Sequence, residues 1–193
     1  MQHFRKWFYE ADQIYNETEP NAMTLTTIEA NTIPKSRIVL LKKYTWEGFI
    51  FFTNYKSNKA KAITLNPKVG ISFYWKNSGR ILYVKGKASK ISDNESCNYF
   101  QSRPRGSQLG AWASQQSKVI TSRTILESRL SKFENKFKNK DIPKPKYWGG
   151  FLIKPIEFQF DEKLDSLIYS QDNYNLNEDY TWSKDTITYI NTP

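Results

Sequence analysis

The stretch RIVLLKKYTWEGFIFFTNYKSNKAKAITLNP (residues 37–67) indicates how this chain folds. Arg37 to Tyr44 is an apolar run that ends in lysines, which predicts a buried strand. Trp46-Glu47-Gly48 predicts a turn, and Phe49 to Thr53 predicts the returning strand of a hairpin. Ser57 to Leu65 predicts a helix, because Ser57 is a favourable N-cap and Asn66-Pro67 stops the pattern. The stretch therefore predicts a β-hairpin that runs directly into a helix.

The segments on either side of this stretch supply more strands and a few helices. Apolar residues at helical spacing predict an amphipathic helix over Phe4 to Ile14 and another over Ser122 to Lys138. Ser92 and Glu95 form a capping box that predicts a helix to about Ser102, and Leu109 to Ala113 fits one further helical turn. Asn31 to Ser36 and Lys140 to Lys146 contain prolines and predict loops. Strands are expected at Ala22–Glu29, Val69–Trp75, Arg80–Ile91, Trp148–Ile153, Ile156–Phe160, Leu167–Tyr169 and Thr186–Ile190.

This order of elements predicts a mainly β fold with flanking helices, of the α+β class. Antiparallel meanders replace the strand–helix alternation of a doubly wound sheet, and we expect a closed or partly closed β-barrel. The chain has neither GxGxxG nor GxxxxGK[ST], so the standard dinucleotide and P-loop cradles are absent from the sequence. The 193 residues fit a single domain, with an N-terminal helix in residues 1–16 and an acidic C-terminal segment in residues 161–193.

Composition excludes several classes of function. One cysteine, Cys97, excludes an internal disulfide and a multi-cysteine zinc site, so no metal is expected. One histidine, His3, argues against a Ser-His-Asp triad. No apolar run approaches the roughly 20 residues that span a bilayer, and no signal-peptide core precedes the first helix. We expect a cytoplasmic protein without a membrane partner.

The positive charge is concentrated in the first four-fifths of the chain. The formal net charge is +10, yet residues 157–193 contain eight acidic residues and only two lysines. A basic body can contact a nucleic-acid backbone, or hold phosphorylated small molecules, or expose a solvated lysine-rich surface. No nucleic-acid-binding motif accompanies the charge, so a nucleic-acid partner is not expected.

Three clusters combine basic residues with special backbone positions. Arg37 and Lys42 bracket an apolar strand, which suggests an anion at its edge; the alternative is two solvated strand ends. Ser57 and Lys59 lie where a strand meets a helix N-terminus, a suitable phosphate site; the alternative is a plain N-cap. The third cluster, Tyr99 to Trp112, contains two arginines flanking Pro104 and suggests an oxyanion clamp; the alternative is a helix terminator.

Four motifs carry a resemblance to a known family. RIVLLK (37–42), FFTNYKSNKA (51–60), YFQSRPRGSQLGAWASQQS (99–117) and YWGGF (147–151) resemble the flavin-dependent pyridoxine/pyridoxamine 5′-phosphate oxidases. The similarity runs from about Phe4 to Phe160. It implies a split β-barrel that binds FMN at the interface of a homodimer. It also implies oxidation of the 4′ amine or alcohol of a vitamin B6 phosphate to pyridoxal 5′-phosphate, with oxygen re-oxidising the flavin.

The resemblance also implies two sets of binding residues. The vitamin B6 phosphate would be held by Lys42, Tyr99, Arg103 and Ser107. The residues that would bind FMN, with Arg37 and Lys59 near its phosphate, are Arg37, Ile38, Leu40, Lys42, Phe52, Thr53, Ser57, Asn58, Lys59, Gln116 and Ser117.

The chain departs from the family pattern mainly near its C-terminal strands. Asn58 stands where the family has an arginine, Ile81 replaces a glutamine and Gln159 replaces a tryptophan. The family's Arg-x-His pair is absent, and Asp161 to Ser166 stands in its place. Lys163 is at best a substitute for the arginine of that pair. It is the only candidate catalytic residue that the resemblance leaves. Three hypotheses follow: a pyridoxamine-phosphate oxidase, a flavoprotein oxidase that acts on another reduced aromatic compound, and a non-catalytic protein that binds pyridoxal phosphate or flavin.

Overall fold

The computed structural model describes residues 1–114, 116–117 and 120–190. Gln115 of the third motif and residues 191–193 of the acidic segment lie outside these described residues. The helices of the described residues are α1 (Gln2–Gln13), α2 (Asn58–Leu65), α3 (Asp93–Ser102), α4 (Arg105–Ala113) and α5 (Arg123–Lys136). The strands are β1 (Ala22–Ile28), β2 (Pro34–Leu40), β3 (Lys43–Thr45), β4 (Gly48–Asn54), β5 (Lys68–Trp75), β6 (Arg80–Lys90), β7 (Trp148–Lys163), β8 (Ile168–Leu176) and β9 (Trp182–Ile190).

The strands form one antiparallel sheet that curls back on itself. The main path runs β2-β1-β5-β6-β7-β4-β3, and the β8–β9 hairpin extends it from the second half of β7. The two ends of this path, β2 and β3, are joined by only two residues. Leu41 donates its N–H to Asn21 at 2.8 Å and Lys42 donates its N–H to Ile50 at 2.9 Å, so the connection bonds to both ends of the sheet. The mainly β class with flanking helices is confirmed, and the sheet is a partly closed barrel.

The interpretation of Arg37 to Tyr44 as one buried strand is wrong. The run is divided between β2 and β3, and β2 pairs with β1 while only Lys43–Thr45 pairs with β4. Ile38 is 65% exposed, whereas Leu41, at the bend between the two strands, is 4% exposed. The expected loop at Asn31 to Ser36 is also shorter, because β2 begins at Pro34. A proline is tolerated there since β2 is an edge strand of this path and needs no N–H on its open side.

Two strands expected before and after Pro155 are one continuous strand, β7. It pairs with β6 along almost its whole length, and the register shifts between Lys85 and Gly86, where Gly86 lies opposite Pro155. This irregularity accommodates the missing N–H of the proline without ending the strand. The C-terminal strands β8 and β9 are likewise longer than the short segments expected at Leu167–Tyr169 and Thr186–Ile190.

The barrel is filled by aromatic side chains under α1. Phe4, Trp7 and Ala11 form the buried face of this helix, as the spacing predicts. The ring of Phe4 contacts that of Phe49 edge-on at 4.8 Å between centroids. The buried aromatic surface is the main stabilising contribution here, since each such ring removes a large apolar area from water.

A second, smaller core lies outside the barrel under α3, α4 and α5. Its buried members are Phe100, Leu109, Phe137, Ile142 and Trp148. The capping box of Ser92 and Glu95 at the start of α3 is confirmed. α4 is a nine-residue helix rather than a single turn, because it restarts directly after Pro104.

α5 packs less deeply than its sequence predicts. No residue between Arg123 and Lys136 is buried, and only Leu130 and Phe133 pack partly against the second core. Ile125 and Leu126 are each 37% exposed in the single chain.

Candidate active site

The junction between β4 and α2 brings together most of the residues of the second motif. Thr53 and Asn54 end the strand, and Ser57 caps the helix by accepting a hydrogen bond from the backbone N–H of Ala60 at 3.4 Å. The first backbone N–H of the helix, on Asn58, donates to the hydroxyl of Ser117 at 3.3 Å. The N–H groups at a helix start attract anions, because they lack intrahelical acceptors and lie at the positive end of the helix dipole.

Lys59 points its ammonium group across this junction. Its Nζ lies 3.4 Å from Thr53 Oγ1 and 3.3 Å from Gln116 Oε1, and the Thr53 hydroxyl donates to Gln116 at 3.1 Å. Burial, followed by repulsion from Arg37, lowers the pKa of Lys59. Lys59 takes part in no ion pair within the described ranges. A partly desolvated cation held by neutral oxygens at a helix N-terminus fits the phosphate of a bound cofactor.

Arg37 lies opposite Lys59 and completes this positive end of the site. Its guanidinium donates to the carbonyl oxygen of Leu25 at 3.1 Å and to the hydroxyl of Thr27 at 2.8 Å. Burial lowers the pKa of Arg37, and the carboxylate of Glu29 partly opposes that shift. Two neighbouring cations repel each other, so this geometry favours a bound anion between them.

The third motif forms a second cationic position. Arg103 caps the C-terminal end of α3 and its guanidinium lies over the ring of Trp148 at 4.8 Å. Its Nη1 atom is buried and has no hydrogen-bond partner among the described residues, and burial lowers the pKa of the group. A buried donor without an acceptor is costly, so this atom marks a place for a ligand oxygen.

Aromatic rings form one wall beside Arg103. The ring of Phe52 stacks on that of Tyr99 at 3.9 Å and on that of Trp148 at 5.2 Å, with interplanar angles of 14° and 11°. Gly150 of β7 permits this approach, because a Cβ there would lie 2.9 Å from Phe52 Cε1. Burial raises the pKa of the Tyr99 phenol and Arg103 partly opposes the rise, so Tyr99 is a neutral hydrogen-bonding group at neutral pH.

A cavity of about 340 Å³ lies between Arg103 and the pair Thr53 and Gln116, which Lys59 contacts. Its walls include Phe52, Thr53, Arg103, Ser107, Gln116 and Trp148. An adjoining cavity of about 400 Å³ shares Asn54, Ser114 and Gln116 with it and is also lined by Arg129 and Lys132 of α5. A flat heteroaromatic compound with a phosphate at one end fits this cavity, because its ring can lie against the aromatic wall while its phosphate binds the guanidinium of Arg103.

Of the site residues predicted from the sequence, the described linings of the two cavities include Phe52, Thr53, Arg103, Ser107 and Gln116. Others lie next to these linings: Ser57, Asn58, Lys59 and Ser117 meet at the α2 junction, and Tyr99 stacks on Phe52.

The remaining predicted residues are farther away or on other faces. Lys42 is exposed and lies beyond the described lining residues, and Ile38 is exposed on the edge strand β2. Leu40 is half-buried on the same strand. Lys163 is at the far end of β7, where its N–H donates to the carbonyl oxygen of Gly79 at 3.1 Å. Their contacts with ligands therefore stay predictions.

Sequence reasoning missed several residues that line the site. Trp148 stands in the quoted motif YWGGF, yet no role was assigned to it. Arg129 was treated only as part of an amphipathic helix, but its Nη1 atom is also buried without a partner. Arg129 carries no local signal of this, because its position within α5 resembles that of a solvated arginine.

Among the described parts of the chain, no helix is both long and apolar enough to cross a membrane.

Comparisons with known proteins agree with this geometry. The family model described as pyridoxamine 5′-phosphate oxidase matches residues 10–137. The pyridoxine/pyridoxamine 5′-phosphate oxidase of Flavobacterium johnsoniae is 47% identical over 180 residues, which covers 93% of this chain and 84% of the relative. That of Crocosphaera subtropica is 46% identical over 181 residues, with the same coverage.

Solved structures show the same fold at lower identity. PhzG from Burkholderia lata, in complex with tetrahydrophenazine-1-carboxylic acid, superposes with a TM-score of 0.90 at 21% identity and covers 97% of this chain and 91% of its own. A pyridoxamine 5′-phosphate oxidase-related, FMN-binding protein from Nostoc punctiforme has a TM-score of 0.74 at 16% identity and covers 96% of each chain. With the family-model match and the sequence identities, these findings show that the chain belongs to the pyridoxine/pyridoxamine 5′-phosphate oxidase family, a family of oxidoreductases.

Proposed function

We propose that this protein is an FMN-dependent oxidase that converts pyridoxamine 5′-phosphate or pyridoxine 5′-phosphate to pyridoxal 5′-phosphate. The observation that carries the proposal is the unpartnered Nη1 of Arg103 beside a ring-lined wall, at a distance from the separate Lys59 site. Two cationic positions, Arg103 in the cavity wall and Lys59 against the wall residues Thr53 and Gln116, match a reaction in which both cofactor and substrate are phosphorylated aromatic compounds. The names of relatives that are 44–47% identical support the same choice.

The cofactor end of the site is the α2 junction. Lys59, Arg37 and the N–H groups at the start of α2 would bind the FMN phosphate, while Thr53, Gln116 and Ser117 orient these groups. FMN, when bound, supplies the acceptor for two electrons from the substrate and passes them to oxygen.

The substrate end of the site is the α3–α4 turn. Arg103 and Ser107 would bind the substrate phosphate, and the neutral phenol of Tyr99 would donate a further hydrogen bond. The amine reaction consumes oxygen and water and releases ammonia and hydrogen peroxide, whereas the alcohol reaction consumes oxygen and releases hydrogen peroxide alone. In both, the residues of this chain bind and orient the substrate rather than form covalent bonds with it.

A homodimer is part of this proposal. β2 presents Ile38 to solvent at 65% exposure beside Arg37 of the cofactor site, and Ile33 just before it is 57% exposed. A second copy of the chain that covers this apolar edge would also bring its own residues close to the cofactor.

A different substrate is the second candidate function. In place of the tryptophan expected after Phe158, Gln159 donates its amide to the carboxylate of Asp161 at 3.0 Å. Burial raises the pKa of Asp161, and the bond from Gln159 partly opposes the rise. An acidic, amide-bonded surface in place of an Arg-x-His pair favours a reduced aromatic compound other than a B6 phosphate.

The proposal is tested by the visible absorption spectrum of the purified protein and by adding pyridoxamine 5′-phosphate in air. We expect a yellow protein that releases FMN on denaturation and forms the aldehyde with an equal amount of hydrogen peroxide. A yellow protein that is inert towards both B6 phosphates would support the second candidate. A protein that neither contains nor takes up FMN would overturn both and leave a phosphate-ligand binding protein.

A further inference from the structure

Arg80 and Arg103 each place a guanidinium group over a tryptophan ring, but their other contacts differ. Arg80 lies over the ring of Trp7 at 4.8 Å and is also paired with the carboxylates of Glu10 and Glu162. Arg103 lies over the ring of Trp148 at the same 4.8 Å, but no carboxylate in the described ranges pairs with it. The first group is fully neutralised, whereas the second keeps its charge and a free donor atom.

The indole ring is the partner that makes this second arrangement possible. A carboxylate beside Arg103 would occupy its donors and repel an incoming anion. An aromatic face attracts the cation through its quadrupole and leaves the N–H groups in the guanidinium plane free. A guanidinium that lies against an aromatic ring can therefore still bind an anion, whereas a guanidinium paired with a carboxylate cannot do so as readily.

Trp148 is itself fixed from several directions. Its backbone N–H donates to the carbonyl oxygen of Pro145 at 3.0 Å, and its carbonyl oxygen accepts a bond from Lys144 Nζ at 3.1 Å. The Lys144 side chain is only 4% exposed and pairs with Asp93 at 2.8 Å. The indole ring stacks on Phe52, so its plane has little freedom to rotate.

We propose that Trp148 is a positioning residue for Arg103: it holds the guanidinium, with its charge uncompensated, in the orientation that binds the phosphate of the ligand. The inference rests on the proposed function for the identity of the ligand, but its content is the coupling between Trp148 and the Arg103 anion site. Removal of the ring should weaken phosphate binding and leave the rate of the chemical step nearly unchanged.

The test compares Trp148→Leu and Trp148→Phe with the matched pair Trp7→Leu and Trp7→Phe, all as FMN-loaded proteins. The measurement is the dissociation constant for pyridoxal 5′-phosphate by titration calorimetry, together with KM and kcat for pyridoxamine 5′-phosphate. We expect Trp148→Leu to weaken binding and raise KM about tenfold with kcat within about twofold, since a desolvated cation–π contact is of this size. Trp148→Phe should recover most of the affinity, because it retains an aromatic face.

The Trp7 variants separate positioning from general stability. Trp7→Leu removes an equally close cation–π contact from the barrel core, and Trp7→Phe reduces it, so we expect a lower melting temperature and unchanged affinity for both. Trp148→Leu is also measured in an Arg103→Ala background, where the inference requires no further loss of affinity. If Trp148→Leu does not fold, Trp148→Met, which also lacks an aromatic face, replaces it in both backgrounds. Equal affinities of wild type and both Trp148 variants, or an equal loss in the Trp7 variants, would overturn the inference.

Failure of the proposed function gives a different result. If the wild-type protein binds no B6 phosphate, the same titrations use inorganic phosphate. Tenfold weaker phosphate binding by Trp148→Leu would then still support the positioning role, and unchanged phosphate binding would refute it. A wild-type protein that binds neither compound refutes both.

Discussion

At the scale of single residues, the site is built from cations that the fold desolvates without neutralising. Burial lowers the pKa of both Lys59 and Arg103, so the single chain carries an electrostatic cost at each position. Structural cations in the same chain are treated differently, since Arg80 is buried between Glu10 and Glu162. The desolvation of Lys59 and Arg103 is not compensated by a carboxylate of the described residues. A bound phosphate would compensate it, so these two positions indicate sites for ligand anions.

Arg103→Ala is expected to weaken the binding of the B6 phosphate and leave the flavin in place. One or two charge-assisted hydrogen bonds would be lost, which corresponds to roughly a 10- to 100-fold rise in KM for pyridoxamine 5′-phosphate. Steady-state kinetics and the flavin absorbance measure the two effects. The control is Arg123→Ala, which removes an exposed arginine that pairs with Glu127 on the surface of α5. Catalysis that is indifferent to Arg103 would show that the phosphate is bound elsewhere.

Lys59→Ala is expected to weaken FMN retention by roughly 10- to 100-fold, since a charged group that hydrogen-bonds the cofactor phosphate is removed. Fluorescence titration of the apoprotein with FMN measures the affinity. Lys61→Ala is the control, because Lys61 belongs to the same helix but is exposed. If the two variants bind FMN equally well, Lys59 is a solvated helix residue.

Local motifs predicted the grouping of residues at the β4–α2 junction, but only part of the aromatic wall beside Arg103. Thr53, Ser57 and Lys59 lie within seven residues of one another, so a strand-to-helix signal was enough to place them together. Trp148 reaches Arg103 from 45 positions along the chain, through pairing of β7 with β4. No local pattern encodes such a contact, and its role became visible only from the geometry.

At the scale of elements, the joint between α1 and the β7–β8 strands depends on the only histidine. The ring of His3 stacks on that of Phe160 at 3.9 Å with an interplanar angle of 6°, and its Nδ1 lies 3.3 Å from the hydroxyl of Tyr174. A neutral imidazole is stable in this stack, whereas a protonated imidazolium would pay a desolvation penalty there. The joint therefore attaches the N-terminal helix to the divergent C-terminal segment in a pH-dependent way.

Stability should fall as the pH falls below about 6.5, the ordinary pKa of histidine. Burial is the main cause that lowers the pKa of His3, with Lys184 and Lys6 adding to the effect and Asp172 and Glu162 opposing it. The unfolded chain then binds more protons than the folded one between the ordinary pKa and the lowered one, so stability is lost over this interval. Urea unfolding of wild type and His3→Phe at several pH values measures the effect. A wild-type slope that persists in His3→Phe would assign it to other groups.

The elements themselves were predictable where periodicity and caps agree, as at α1 and α3. They were not predictable where one apolar run is divided between two strands, as it is between β2 and β3. Nothing in the letters of Arg37 to Tyr44 marks the bend at Leu41, because the bend arises when the barrel brings β2 and β3 to opposite ends of one sheet.

At the scale of the whole molecule, the barrel and the helical cap meet along the face that carries the cofactor site. The barrel strands supply Arg37 and Thr53, the helix α2 supplies Lys59, and the region around the second core under α3, α4 and α5 supplies Arg103. Arg37 belongs to the exposed edge strand β2, so a second chain that covered this edge would also lie beside the candidate cofactor site. This proximity makes assembly of two chains measurable through flavin binding.

Ile38→Glu is expected to yield a monomer with weakened FMN binding, while the wild type forms a homodimer. A carboxylate on the exposed edge strand would be desolvated in the dimer interface without a partner, which disfavours association strongly. Sedimentation velocity gives the oligomeric state and flavin fluorescence gives the affinity. Trp46→Glu is the control, since Trp46 is 85% exposed at the tip of the β3–β4 turn and its change should leave both properties intact. A wild-type monomer that binds FMN fully would overturn the dimer, and a dimeric Ile38→Glu protein would move the interface away from β2.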